Sequence, residues 1–494
     1  MTQDTSNAAA ETPDKEPSPP RPRARRWVLA LAVVGVLVCL VVAAWLARGK
    51  IAQMRVDALA AEIRGRGEPL DWKDFAEPPV PADQNAAPLY EKAAKGFLKE
   101  GPGLSSEQVD QIERPIHDLV MNRQFRRSHR AEVKKVLDLS RESLALLREG
   151  HARPGVDWGL DFSRPATEGR FPEIWRSIDL SRAAALAALE AHDAGDDEEA
   201  VQRLAEAMAL GRAIGRFPGG FSIQYRMACQ QAVISAIEQI LPTLRIGKPP
   251  FASPQQARDL MAELLDTDSM QSQRVRGQMA DRCVAFEIVH RLGKGENPIH
   301  AEMKKAWLRP EVLSSECLQI LRVFAVNIDV AKEKTYPAAM AKREQCPDNF
   351  EALREEGGLS DRHPILWLLH SGFDMMEGVH LPSSFGVFAR SRMAGTALAM
   401  RLYEVERGKG PATLEDLVAG GILARVPEDP FSGAGGKIQY KADPQQPRLY
   451  SVGEDGRDDG GKFTLDDKGG AHDAPDLVYF LNGNRPQAKP ATRP

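Results

Sequence analysis

Residues 27 to 47, Trp-Val-Leu-Ala-Leu-Ala-Val-Val-Gly-Val-Leu-Val-Cys-Leu-Val-Val-Ala-Ala-Trp-Leu-Ala, contain no charged or strongly polar side chain. As a helix, about 20 apolar residues match the thickness of a bilayer's hydrocarbon core. In lipid every backbone polar group must be satisfied internally, by a helix or a closed barrel, and one segment cannot close a barrel. The run therefore predicts a single N-terminal transmembrane helix over 27–47, with the rest of the chain on one side of a membrane.

Arg21, Arg23, Arg25 and Arg26 precede the run. Positive flanks stay cytoplasmic, so residues 1–26, polar and Pro-rich, are expected to be a disordered cytoplasmic tail. Arg48, Lys50 and Arg55 follow the run and weaken this asymmetry. The rival is a cleaved signal peptide, whose apolar core is about 7–15 residues and ends in small residues. This core is longer, carries Trp45-Leu46 where small residues would be needed, and has a Trp at each end, as aromatic belts do. The reading is an uncleaved signal anchor in the cytoplasmic membrane, N-terminus inside and bulk of the chain extracytoplasmic.

The chain has 494 residues, of which about 445 follow the run, enough for two or three domains. A net charge of -4 shows no nucleic-acid footprint. Ala and Leu are abundant and aromatics few, a mix that favours helix over sheet. Of five cysteines, Cys39 lies in the apolar run. Cys229, Cys283, Cys317 and Cys346 are far apart with no C-x-x-C pair. That spacing fits neither a zinc site nor a disulfide scaffold. Buried free thiols and one or two disulfides both stay open.

Residues 48–82 read as a juxtamembrane helix followed by a strap. Ile51, Met54, Val56, Leu59 and Ile63 give an apolar stripe, Gly65 and Gly67 stop it, and the Pro-rich segment 78–88 runs extended along a surface. Residues 83–384 are helical almost throughout. Between 178 and 216, Ile178, Ala185, Leu186 and Leu189 form one face. Gly195 breaks the chain, and Asp196-Asp197 cap a second helix with Val201, Leu204, Ala205 and Met208. This αα-hairpin resembles a tetratricopeptide unit, in one copy with no repeat at that period. Ser253-Pro254 is an N-cap followed by Pro at the first helical position. After residue 407 Gly, Pro and Asp become dense, and β-like runs appear at 437–440, 448–452 and 477–480. Residues 385–483 read as a small α+β module and 484–494 as a disordered tail. The expected fold class is mainly α.

Within the module a helix over 392–406 leads to Gly408-Lys-Gly-Pro-Ala-Thr-Leu-Glu-Asp-Leu417. Val426-Pro-Glu-Asp-Pro-Phe-Ser-Gly433, a strand, and Leu449-Tyr-Ser-Val-Gly-Glu-Asp-Gly456 follow. This order resembles the C-terminal part of type II secretion major pseudopilins. Here the apolar helix lies far upstream, without a prepilin cleavage site, so pilus assembly is not implied. The strap GEPLDWKDFAEPPVPADQNAAPLY, with this ending, is also similar to a group of large bacterial membrane-anchored proteins of unknown function. The pseudopilin likeness implies calcium in the last loop. Matching positions are Asp455 and Asp476 with the Val452 carbonyl, and Asp458, Asp459 and Asp473 are further oxygens nearby. Calcium takes six to eight hard oxygen ligands, which clustered Asp in a Gly-rich loop supplies. The loop from Gly456 to Asp473 is longer than the family pattern, and a solvated acidic turn is the alternative.

His363, His370, Asp374 and Glu377, with His380 following, share one face if they lie on one helix. No H-E-x-x-H, G-x-S-x-G, P-loop or dinucleotide fingerprint accompanies them, so a solvated or hydrogen-bonded helix face is the expectation, with a metal or catalytic role as the alternative. Trp158, Phe162, Phe171, Trp175 and Phe217 form an aromatic patch beside Pro165, Pro172 and Pro218. It reads as core under a long loop, with a groove as the other use. Arg123, Arg126, Arg127, His129, Arg130, Lys134 and Lys135 read as a solvated helix face, with contact to anionic lipid as the alternative. The expected function is a structural or protein-interaction role outside the cytoplasmic membrane, with the bilayer and another envelope protein as partners. A membrane-anchored hydrolase with a site in the helical body is the alternative; that reading requires His363 or His370 to meet acids from other helices.

Overall fold

A computed structural model describes residues 23–97, 116–169, 172, 175–298, 307–346, 363, 365–366, 369, 377–463 and 476–483. The chain is mainly α-helical, as its composition indicates. α1 spans Arg23–Gly65, one unbroken helix of 43 residues. Its side chains from Trp27 to Ala43 are all exposed, while Val56, Ala60 and Ile63 are buried. The predicted stripe is thus core only in its later part: Ile51 is 48% and Met54 71% exposed. Among the described residues no helix is long and apolar enough to cross a membrane. Within the apolar run, the side chains at 44–46 lie outside those described.

α2 (Ala87–Gly96), α3 (Arg123–Ser128) and α4 (Arg130–His151) follow. The hairpin forms as its caps dictate. α5 (Ser177–Asp193) ends at Gly195, whose φ of +85° suits only glycine comfortably. α6 (Asp197–Gly215) starts with the Asp196 carboxylate accepting the Glu199 amide. α7 (Gly220–Ile240) packs across both. α8 (Pro254–Leu265) opens with a capping box between Ser253 and Gln256. α9 (Thr267–Gly293), α10 (Pro310–Lys332) and α11 (Tyr336–Glu344) complete the body. One core is shared by α2 and α4 to α8. A second joins α1, α9, α10 and the turn Trp72–Phe75.

α12 (Glu377–Arg407) runs through positions 384 and 385, so the body and the C-terminal module meet inside one helix. α13 (Glu415–Ala419) and three strands follow: β1 (Gln439–Lys441), β2 (Arg448–Ser451) and β3 (Leu477–Phe480). The sheet is antiparallel in the order β1-β2-β3, with Tyr440 opposite Leu449 and Tyr450 opposite Val478. Leu417, Val426, Ile438, Leu449 and Tyr479 belong to the same core as the helical hairpin. The module is therefore packed into the body.

Cys39, Cys229, Cys283 and Cys317 are free thiols; the last three are buried, and burial pushes each of them well above its usual range.

Candidate functional site

The second half of α1 lies parallel to α10. The Glu311 side chain sits against Gly49, Ser314 Oγ donates to Gln53 Oε1 at 2.9 Å, and Lys332 Nζ is 3.4 Å from Glu68 Oε1. α9 runs antiparallel to α10, bringing Gly293 near Leu313. Between these three helices opens a cleft of about 850 Å³, within the size range of small-molecule sites, about 300–1,000 Å³. Its floor is apolar, with Val56, Leu70, Trp72, Phe162, Phe286 and Leu313, and it is edged by Arg64, Lys73, Arg164, Arg291 and Lys294. Three of these cations are committed. Arg64 lies 3.5 Å from Asp71, Arg164 3.3 Å from Asp161, and Arg291 2.5 Å from Glu296. Lys73 and Lys294 are exposed and pair with no described residue.

A second hollow of about 430 Å³ adjoins through Phe162. Trp158, Phe162 and Pro218 line it beneath Phe75 and Pro78 of the strap, so part of the aromatic patch does form a groove. Phe217 instead is buried against Phe221, Trp175 is 55% exposed, and Phe171 lies outside the described residues. In the basic run, Arg126 departs from the solvated face: it is 2% exposed and donates to Gln239 Oε1 at 2.7 Å, near Glu190 and Asp193.

Of the histidine set, His363 Nδ1 lies 3.3 Å from Oε1 of Glu316, a fully buried carboxylate of α10. The other Glu316 oxygen accepts the Leu366 amide at 2.9 Å. His370 and Asp374 lie outside the described residues, as do the side chains of Glu377 and His380.

In the C-terminal loop Asp476 is 1% exposed; its carboxylate accepts the Gly461 amide at 2.7 Å and the Asp459 amide at 3.5 Å. Burial holds its pKa above the ordinary aspartate range despite those amides. Asp455 accepts the Arg457 amide at 3.0 Å and Asp458 the Gly460 amide at 2.8 Å, each closing a local turn. Asp473 lies outside the described residues. Among the described residues no three His, Cys, Asp or Glu side chains are grouped to hold a metal.

Two constellations had no counterpart in the sequence reading. His192, at the end of α5, has Nδ1 2.5 Å from Oδ1 of Asp197 and Nε2 2.9 Å from the Thr243 hydroxyl. The other Asp197 oxygen accepts from Arg245 Nε at 2.7 Å. This is a hydroxyl–imidazole–carboxylate chain, the arrangement a general-base nucleophile uses. The hairpin turn at Gly195 foreshadows the His192–Asp197 pair; Thr243 and Arg245 have no local signal. The second is Asp429, buried, which accepts the Ser451 hydroxyl at 2.7 Å, the Val452 amide at 2.8 Å and the Phe431 amide at 3.0 Å. It ties the Asp-Pro-Phe turn to the end of β2.

No known protein family, curated protein or solved structure matches this chain.

Proposed function

We propose that the chain is a single-pass membrane-anchored envelope protein with an interaction role, its helical body held outside the cytoplasmic membrane by α1. The observation that carries this reading is the division of α1. From Trp27 to Ala43 every side chain is exposed, while from Val56 onward the same helix turns a buried face to the core. Burying one Val or Leu is worth about 1.5–3 kcal/mol, so a whole turn-after-turn apolar surface needs an apolar solvent. Lipid meets that need, and the sequence run to Ala47 has the length for it. The arginines before Trp27 favour an N-terminus inside. The full-length protein should stay with membranes through alkaline carbonate washing, and external protease should reach the body in spheroplasts. Recovery in the soluble fraction, or a mature chain beginning after Ala47, overturns the reading. Calcium in the 455–476 loop belongs to the same proposal, through the pseudopilin likeness; saturating calcium should raise the melting midpoint of the whole chain.

The relay at Thr243 favours a second reading, a hydrolase with its site in the helical body. With Asp197 orienting its imidazole, His192 would take the Thr243 proton as the hydroxyl attacks an ester carbonyl, give it to the departing alkoxide, and then activate the water that frees the acid from Thr243. The solubilised protein should then hydrolyse an activated ester, with the activity lost in both Thr243→Val and His192→Gln. Equal activity in wild type and both variants removes this reading.

A further inference from the structure

The cleft beside α1 is built for a molecule that is apolar along its length and anionic at one end. Its long wall is α1 from Gln53 to Arg64, about 16 Å of helix at 1.5 Å per residue. Gln53 stands six residues beyond Ala47, so this end of the cleft begins about 9 Å from the close of the apolar run. Gly293, Lys294, Leu308 and Pro310 line that same end, because α10 begins beside Gly49 and α9 finishes beside Leu313. The mouth carries exposed Leu308 and the exposed ammonium of Lys294, which pairs with no described residue, and exposed Lys50 stands one turn before Gln53 on the same face of α1. Inward, the floor runs through Leu313 and Phe286 to Trp72. Of the nearby acids, Glu311 stands at the mouth against Gly49, Asp57 accepts from Gln53 Nε2 at 2.9 Å, and Asp71 faces Arg64 farther in. Lys50 and Lys294 outnumber the one carboxylate at the mouth, so an anionic headgroup is drawn to the entrance while the apolar floor accepts an acyl chain.

We propose that this cleft holds one acyl chain of an anionic phospholipid taken from the leaflet next to α1, with the phosphate between Lys50 and Lys294. The proposal rests on the membrane-anchor reading of α1. Anionic headgroups gain from each nearby Lys, and the cleft wall supplies the apolar contact that a bare polybasic surface lacks.

The test uses the full chain in phosphatidylcholine nanodiscs doped with phosphatidylglycerol brominated on its acyl chains. Bromine quenches indole emission on contact, and the Trp72 contribution is the difference between wild type and Trp72→Phe. The expected result is Trp72 quenching by brominated phosphatidylglycerol at a mole fraction where brominated phosphatidylcholine gives none. The exposed double variant Lys50→Glu/Lys294→Glu should need roughly tenfold more of the anionic lipid. Because Trp72 is itself core, lipid extracted from detergent-purified protein is a second readout: phosphatidylglycerol should accompany wild type and be lost from the double variant. Trp72 emission unmoved by either brominated lipid overturns the proposal, and equal quenching by both overturns the anionic assignment. Quenching of Trp27, read through Trp27→Phe, reports the anchor separately. If Trp27 is quenched and Trp72 is not, the cleft proposal alone fails; if Trp27 is not quenched, the anchor reading fails with it.

Discussion

The amide of Phe480 in β3 donates to the Glu238 carboxylate of α7 across 3.1 Å, so a helix side chain satisfies the outer edge of the sheet. Both groups are buried. Glu238→Ala leaves that amide without an acceptor, which costs about 1–3 kcal/mol, and Glu238→Gln, which keeps an acceptor oxygen, costs less. Denaturant midpoints of the two variants check the order. Since the module shares the hairpin's core, one cooperative transition is expected in both.

Asp429 collects three donors from the turn and the end of β2. In Asp429→Asn the new amide group faces at least one of those N–H or O–H groups. A loss of about 1–3 kcal/mol is expected from a buried donor left unmet. Burial, opposed by these hydrogen bonds, raises the Asp429 pKa. A midpoint equal to that of wild type would show that the turn is held by other contacts.

A Cβ at Gly150 would come within 2.5 Å of the Tyr90 ring, which is itself buried. Elsewhere in a helix, Gly→Ala gains about 1 kcal/mol from propensity. Here the ring, only 3% exposed, would have to shift within the core, and overpacking costs about 1–3 kcal/mol. Gly150→Ala is therefore expected to lower the thermal midpoint, whereas the open position Gly65→Ala should not suffer such a clash.

His151 has its Nδ1 buried without a hydrogen-bond partner among the described residues. Burial depresses its pKa below the ordinary 6.5, with Arg212 and Arg148 acting in the same direction and Glu206 against them. The unfolded chain thus takes up a proton on this ring before the folded chain does. Its stabilising contribution is complete above the unfolded pKa and declines as pH falls from there through the folded pKa. Glu263, Asp429 and Asp476, whose pKa values are raised by burial, act oppositely: their contribution is lost as pH rises through their folded values. The decisive quantity is therefore the difference between wild type and His151→Gln. Between about pH 7.5 and about pH 5.5 the variant should lose less thermal stability; parallel curves would contradict the assignment.

What the sequence revealed of this fold was local. Gly195 with Asp196, Ser253 with Pro254, and the alternating run at 448–452 carry their own punctuation, and α5, α6, α8 and β2 form where those signals stand. The partners that matter at the candidate sites are distant in the chain. Thr243 reaches His192, Glu316 reaches His363, and Glu68 meets Arg282, and no periodicity encodes such pairings. The module read as separate because its composition shifts at residue 407; composition does not register that Leu417 and Leu449 insert into the hairpin's core. The cleft lacks a local signal for a similar reason. Its walls come from α1, α9 and α10, and only their parallel and antiparallel register brings Lys294 level with Gln53.

α1 is continuous from its exposed apolar half into its packed half, with no proline between Arg23 and Gly65. Where such a shaft is seated in a bilayer, it behaves as a mast stepped directly into the hull. The body cannot swivel on a loose stalk, so its height above the surface and the bearing of its grooves are set by the tilt of one rod. A change in bilayer thickness would then be felt by the body as a change of attitude.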